Sequence, residues 1–281
     1  MIRGKVLTGR KYLIVGGAGE AGRSAIEFLK ANEKDCHIIA TTSSQSDIPG
    51  ADTILLNVKA DRQICIRVKE ELERNQMETK FDVLIYTPAL GEVGYPVIES
   101  KPEAIEAALE ISYYPMLQLE STFSPKLSIG YSAFYWLPHT LAFYGTMGYV
   151  KKKMDEWALA KPDSRKIIRA GTFFSKSVRG ISLVLQRTMK NTKDPDLLKL
   201  KEEYTNSNQK FQEFFLDYAW KHEREFFSSP KFKSPYRATT RSDLSRGLKN
   251  ILNHDAAIAT VIGDWEWYEN SMPDLPEWFR K

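Results

Sequence analysis

Four glycines within seven residues, Gly16, Gly17, Gly19 and Gly22, constrain this chain more than any other feature. They follow an apolar run, Tyr12, Leu13, Ile14 and Val15, that suits a strand buried on both faces. After them Ala21, Ala25, Ile26 and Leu29 recur at helical spacing. Strand, glycine turn and helix form the context that a dinucleotide fingerprint requires. Two spacings overlap, Gly17-x-Gly19-x-x-Gly22 and Gly16-x-x-Gly19-x-x-Gly22. Glycine there permits a tight turn, close approach of backbone to a pyrophosphate and close helix–strand packing. The helix start offers free N–H groups to the phosphates. Gly16, Gly17, Gly19, Glu20, Ala21 and Gly22 are therefore candidate cofactor contacts.

The pattern continues as a βαβ series. Residues 35–42 read as a second strand at the expected distance. It ends in Thr41, Thr42 and Ser43, not in the acid that would grip a free ribose 2′-OH. Small hydroxyl residues leave room for a 2′-phosphate, so NADP is favoured, with NAD as the other option. Arg23 is the nearest candidate cation. Residues 52–58 predict a third strand. Asn57 at its end suits either an adenine contact or a turn. Residues 60–76 predict an amphipathic helix and 81–86 a fourth strand. That strand runs into Thr87, Pro88 and Ala89 at the C-terminal edge of the sheet, where ligands of open α/β sheets bind. Residues 99–123 predict one helix, 126–132 a fifth strand and 166–174 a sixth, ending in Ala170, Gly171 and Thr172. The alternation implies a doubly wound parallel sheet of the Rossmann-like α/β class.

Beyond residue 174 the texture changes. Residues 178–189 are amphipathic, and 194–227 predict a long charged helix studded with aromatics. Residues 175–235 thus form a helical excursion within a single domain, 1–281. It serves as a substrate lid or an oligomer contact. A helix at 241–252 and a short strand at 257–262 follow, then a tail rich in Trp and Pro.

Composition narrows the function classes. The 40 basic and 36 acidic residues leave a net charge of +4, too balanced to argue for a nucleic-acid partner. Two cysteines, Cys36 and Cys65, offer neither a disulfide framework nor metal-ligand spacing, so no metal is expected. No apolar run has the length of a membrane span, and no leader precedes the first strand. A cytoplasmic protein without a membrane partner is the expectation.

Reduction by a nicotinamide needs a proton donor beside the substrate oxygen. Tyrosine serves when a lysine ammonium stabilises its phenolate. Two pairs are available. Tyr149 and Lys153 stand at i, i+4 on one helix face; Tyr144 and Lys151 are separated by six residues. Met147, Val150, Met154, Trp157 and Ala158 form an apolar stripe with Lys151 at its edge and Lys153 off it.

These features resemble the short-chain dehydrogenase/reductase superfamily over residues 10–175, with a weaker echo at 240–263. The carriers are the early glycine motif, a Tyr/Lys element after the fifth strand, and Ala170-Gly171-Thr172 in place of a Pro-Gly turn. The generic family motif selects Tyr149 and Lys153. A finer similarity, Tyr144-Gly-Thr-Met147-Gly148-Tyr-Val-Lys151 together with Ile111-Ser112-Tyr113-Tyr114, resembles bacterial enoyl-ACP reductases and selects Tyr144 and Lys151. Ser132 stands 12 residues before Tyr144 and 17 before Tyr149, and the family's serine spacing matches the first. The glycine motif differs from that of the enoyl reductases, and Thr87-Pro88-Ala89 replaces the family's Asn-Ala-Gly.

The resemblance implies an NAD(P)H-dependent oxidoreductase acting on a small carbonyl or enoyl substrate, apolar or acyl in character. Tyr144 would be the donor, Lys151 the ribose and phenolate contact, and Ser132 the orienting hydroxyl. Phe134 or Tyr135 would line the substrate pocket, and His139 would be a loop residue. A homo-oligomer is the family's weak default. Two alternatives meet the same residues: a dinucleotide-binding sensor without turnover, and an epimerase or dehydratase that retains NAD.

Overall fold

In a computed structural model, residues 9–280 are described. Residues 1–8, where no leader is expected, and residue 281 lie outside the described residues. The apolar run forms β1 (Lys11–Val15), and the helical repeat after the glycines forms α1 (Glu20–Asn32). The chain then alternates: β2 (His37–Thr41), β3 (Thr53–Leu55), α2 (Ile64–Arg74), β4 (Val83–Tyr86), α3 (Pro102–Ser112), α4 (Tyr114–Phe123), β5 (Leu127–Ala133), α5 (Pro138–Phe143), α6 (Thr146–Ala160) and β6 (Arg165–Ala170). Next come α7 (Lys176–Thr188), α8 (Pro195–Asn206), α9 (Phe211–Phe227), α10 (Arg241–Ile251), β7 (Ile258–Ile262), β8 (Trp265–Glu269) and α11 (Glu277–Arg280).

The strands form one sheet in the order β3-β2-β1-β4-β5-β6-β7-β8. All neighbours pair parallel except β7 and β8. Strand order reverses between β1 and β4, which opens a crevice at their C-terminal ends. Alternate residues of β1 explain why the strand reads as continuously apolar. Leu13 and Val15 pack with α2, α3, α4 and α6 through Val68, Leu109, Met116 and Met154. Tyr12 and Ile14 pack with α1 and α10 through Ile26, Leu29, Leu244 and Leu248.

Several elements differ from expectation. The helix at 99–123 is two helices, because Tyr113 leaves helical geometry at φ −131° and Pro115, which has no N–H, sits at the start of the second. The helix at 194–227 is also two, broken at Asn208, whose φ of 53° is left-handed. The third strand is only three residues long, so Asn57 stands beyond it in a turn at φ 58°. The tail contains β8, joined to β7 through Gly263 at φ 48°. His139 is a buried residue of α5. Among the described residues, no helix is long and apolar enough to cross a membrane.

Candidate active site

The glycine turn builds one end of the site. Gly16 adopts φ 79°, and a Cβ there would meet Thr87 Oγ1 at 2.6 Å. A Cβ on Gly22 would lie 2.5 Å from the Gly16 carbonyl oxygen, so α1 starts directly against the turn. The turn is pinned from both sides: the Gly17 N–H donates to the Thr41 carbonyl at 3.0 Å, and the Thr87 hydroxyl donates to the Val15 carbonyl at 2.9 Å. Gly19 caps α1 without any side-chain hydrogen bond, which leaves the first-turn N–H groups to a ligand. Glu20 would set a carboxylate beside a phosphate there. Its charge is met by Arg241 on α10 at 2.6 Å, and Arg241 also binds Glu27 at 2.8 Å.

Tyr144, Lys151 and Ser132 build the second wall. Tyr144 caps the end of α5, and Gly145 caps the start of α6 at φ 48° with ψ −135°. A Cβ on Gly145 would sit 2.5 Å from the Glu92 carbonyl oxygen, so only glycine fits this turn. The Gly145 N–H donates to Tyr95 O at 3.0 Å and the Thr146 N–H to Glu92 O at 3.0 Å, which fixes the tyrosine's backbone against the 92–95 loop. Burial holds the Tyr144 phenol well above the ordinary tyrosine range. Lys151 lies on α6 with 5% exposure; its Nζ donates to the Tyr131 carbonyl at 2.8 Å. Burial lowers its ammonium to about 8, opposed by the nearby Asp155 carboxylate. Ser132, the next residue of β5, is buried, and its hydroxyl has no partner.

These parts meet in one cleft of about 230 Å³. Gly19, Glu20, Ala21, Thr87, Ala89, Ser132, Tyr144, Lys151, Ala170, Gly171 and Thr172 all line it. Phe134, Phe143, Phe173, Ile181 and Phe215 give it an apolar body, with α7 and α9 contributing one wall. Gly16, Gly17 and Gly22 shape the turn from behind, and Pro88 packs over Gly16.

Other expected residues lie elsewhere. Tyr149 packs edge-on against Phe279 at 5.0 Å in a C-terminal aromatic cluster, and Lys153 is exposed and pairs with Glu156 at 3.0 Å. Neither lines the cleft, because both point from the far side of the α6 stripe. The Thr41 hydroxyl accepts from the Gly16 N–H at 3.3 Å, and Thr42 is bonded to Ser44 at 3.1 Å. Ser43 and Asn57 are exposed. Arg23 is half-buried, and its Nε has no partner. Tyr135 packs on Trp136 and Phe279, outside the cleft.

Two features escaped the sequence reading. Behind Lys151, the wholly buried Arg169 of β6 binds Asp155 of α6 at 2.6 Å and stacks on Trp136 at 4.7 Å. In the cleft, Glu223 of α9 is buried and accepts the Thr172 N–H at 2.6 Å. Glu223 falls on the apolar stripe of Phe215 and Ala219 at intervals of four, and an acid on such a stripe was the available signal.

A parallel sheet with helices on both faces, a glycine turn at the β1/β4 crevice and a tyrosine–lysine wall beside it define a Rossmann-type protein. The chain has the fold of the short-chain dehydrogenase/reductases. It is similar to levodione reductase, with 13% identity and a TM-score of 0.58, covering 92% of this chain and 97% of that one. It is also similar to a short-chain dehydrogenase/reductase from Saccharomyces cerevisiae, with 15% identity and a TM-score of 0.52, covering 71% of this chain and 84% of that one. No family model and no curated protein matches the chain.

The residues present fit a nicotinamide dinucleotide. The uncapped start of α1 suits a pyrophosphate. The unpartnered Ser132 hydroxyl and the buried Lys151 ammonium lie further along the same cleft.

Proposed function

We propose that the chain is an NAD(P)H-dependent oxidoreductase of the short-chain type, acting on a small carbonyl or enoyl substrate. The observation that carries this reading is the convergence of Tyr144, Lys151 and the unpartnered Ser132 hydroxyl in a cleft continuous with the uncapped glycine turn. The chemistry that a nicotinamide held here would supply is a hydride for the electrophilic carbon.

The protein's part is binding, orientation and proton supply. The Glu20 and Ala21 N–H groups hold the pyrophosphate, with the Glu20 carboxylate neutralised by Arg241. Arg23, half-buried in the first turn of α1, is the candidate cation for a 2′-phosphate, which favours NADP. Ser132 donates to the substrate oxygen. Tyr144 gives its proton to that oxygen, so a ketone and a hydride leave as an alcohol. The Lys151 ammonium stabilises the resulting phenolate, whose charge burial otherwise opposes. The apolar walls exclude water and favour an apolar substrate body.

Oxidation of NADPH and NADH, followed at the nicotinamide absorbance with cyclohexanone, acetoacetyl-CoA and crotonyl-CoA, tests the reading. Turnover with any of them supports it. Failure to bind either nucleotide would refute it.

A further inference from the structure

Hydride transfer leaves one group of the cleft unused. Glu223 is 1% exposed and stands on the wall that α9 contributes. Its Oε1 accepts from the Thr172 N–H at 2.6 Å and its Oε2 from the Tyr236 hydroxyl at 3.2 Å. The sequence clears space for it: a Cβ on Gly171 would lie 3.0 Å from Oε2 and 2.6 Å from Thr239 Oγ1. The Thr172 hydroxyl is a third donor, and all three donors are neutral, so no cation offsets the carboxylate charge. Burial accordingly pushes the carboxyl up to about 7. A buried carboxylate without a countercharge is costly, and three donors leave one of its four lone-pair sites for a further donor. Among the described residues no lysine or arginine pairs with Glu223. Phe134, Phe173 and Phe215 line the same cleft and would cover the apolar body of a ligand that donates to Glu223.

We propose that Glu223 is a specificity-determining residue that selects a substrate carrying an ammonium group, a small amino-ketone rather than an acid or a thioester. The proposal rests on the oxidoreductase reading. The ammonium donates to Glu223 while the carbonyl oxygen meets Ser132 and Tyr144. A substrate carboxylate at the same place meets like charge.

The test compares cyclohexanone with its para-amino and para-carboxy derivatives in NADPH oxidation, for wild type, Glu223→Gln and Glu223→Asp. Wild type should prefer the amino compound over cyclohexanone by about tenfold in kcat/KM, as a charge-assisted hydrogen bond implies. Glu223→Gln should bring the two within about twofold, and Glu223→Asp should keep part of the preference. Wild type preferring cyclohexanone, or a preference that persists in Glu223→Gln, would overturn the proposal.

A second readout separates the two claims. Binding of cyclohexylamine and cyclohexanol is followed by tryptophan fluorescence, since Trp220 donates to the Thr172 carbonyl at 2.9 Å beside the site. If no ketone turns over but cyclohexylamine binds wild type more tightly than cyclohexanol, and not Glu223→Gln, the reductase reading fails and the ammonium site stands. Equal binding of both compounds to wild type would overturn the ammonium site itself. Thermal unfolding of Glu223→Gln confirms that the variant is folded.

Discussion

Lys151 donates its buried ammonium to the main-chain oxygen of Tyr131 at 2.8 Å, and Tyr131 immediately precedes Ser132 on β5. One contact thus ties the helix that carries the lysine to the strand that carries Ser132. Because burial lowers the ammonium to about 8, its charge is lost within an accessible pH range. Turnover should be steady below that value and fall as pH rises through it. The sign for folding is the opposite. The unfolded lysine keeps its proton up to a higher pH, so this group's cost to stability is full below about 8 and is relieved above it. A pH–rate profile beside chemical denaturation at several pH values checks both directions.

Asp155 should shift that profile. It is wholly buried, binds Arg169 at 2.6 Å and supports the Lys151 charge. Asp155→Asn should move the alkaline limb of the rate to lower pH. It should also cost about 3–5 kcal/mol, since the Arg169 guanidinium loses a buried partner. Denaturant titration measures the loss, and the pH–rate profile of the folded fraction measures the shift.

Arg241 is expected to act on cofactor binding alone. It pairs with Glu20 at the helix start proposed to hold the phosphates, and both side chains are partly exposed. Arg241→Ala leaves an unmatched carboxylate beside the pyrophosphate. The screened repulsion should raise the NADPH Kd by about threefold to tenfold and leave kcat near the wild-type value. Nucleotide fluorescence titration and steady-state kinetics check it.

Much of this was legible in the sequence because two short-range patterns carry it. The glycine spacing around Gly16 and Gly22 admits few backbone paths, and the stripe of Met147, Val150 and Met154 sets the rotation of α6, hence Lys151 inward and Lys153 outward. What was not legible depends on distant contacts. Glu223 reaches Thr172 across 51 positions, and Arg169 finds Asp155 only once β6 and α6 pack. The break at Asn208 and the shortness of β3 reflect local turn conformations that apolar periodicity does not register. Lys152, between the inward Lys151 and the exposed Lys153, is buried against the C-terminal segment, near Phe279.

Gly145 should prove intolerant. At φ 48° and ψ −135° it occupies a region closed to other residues, and a Cβ would press on the Glu92 carbonyl at 2.5 Å. Gly145→Ala should destabilise the fold by about 1–3 kcal/mol and lower kcat by displacing Tyr144. Thermal unfolding together with kinetics measures both.

The most direct test is the rate of NADPH oxidation by Tyr144→Phe and Tyr149→Phe beside wild type, with the best ketone substrate and with nucleotide binding measured in each. Loss of the Tyr144 hydroxyl should lower kcat by about 10²- to 10⁴-fold with NADPH binding retained, while Tyr149→Phe stays near wild type. Full activity in Tyr144→Phe, or a collapse confined to Tyr149→Phe, would contradict the assignment of this cleft as the catalytic site.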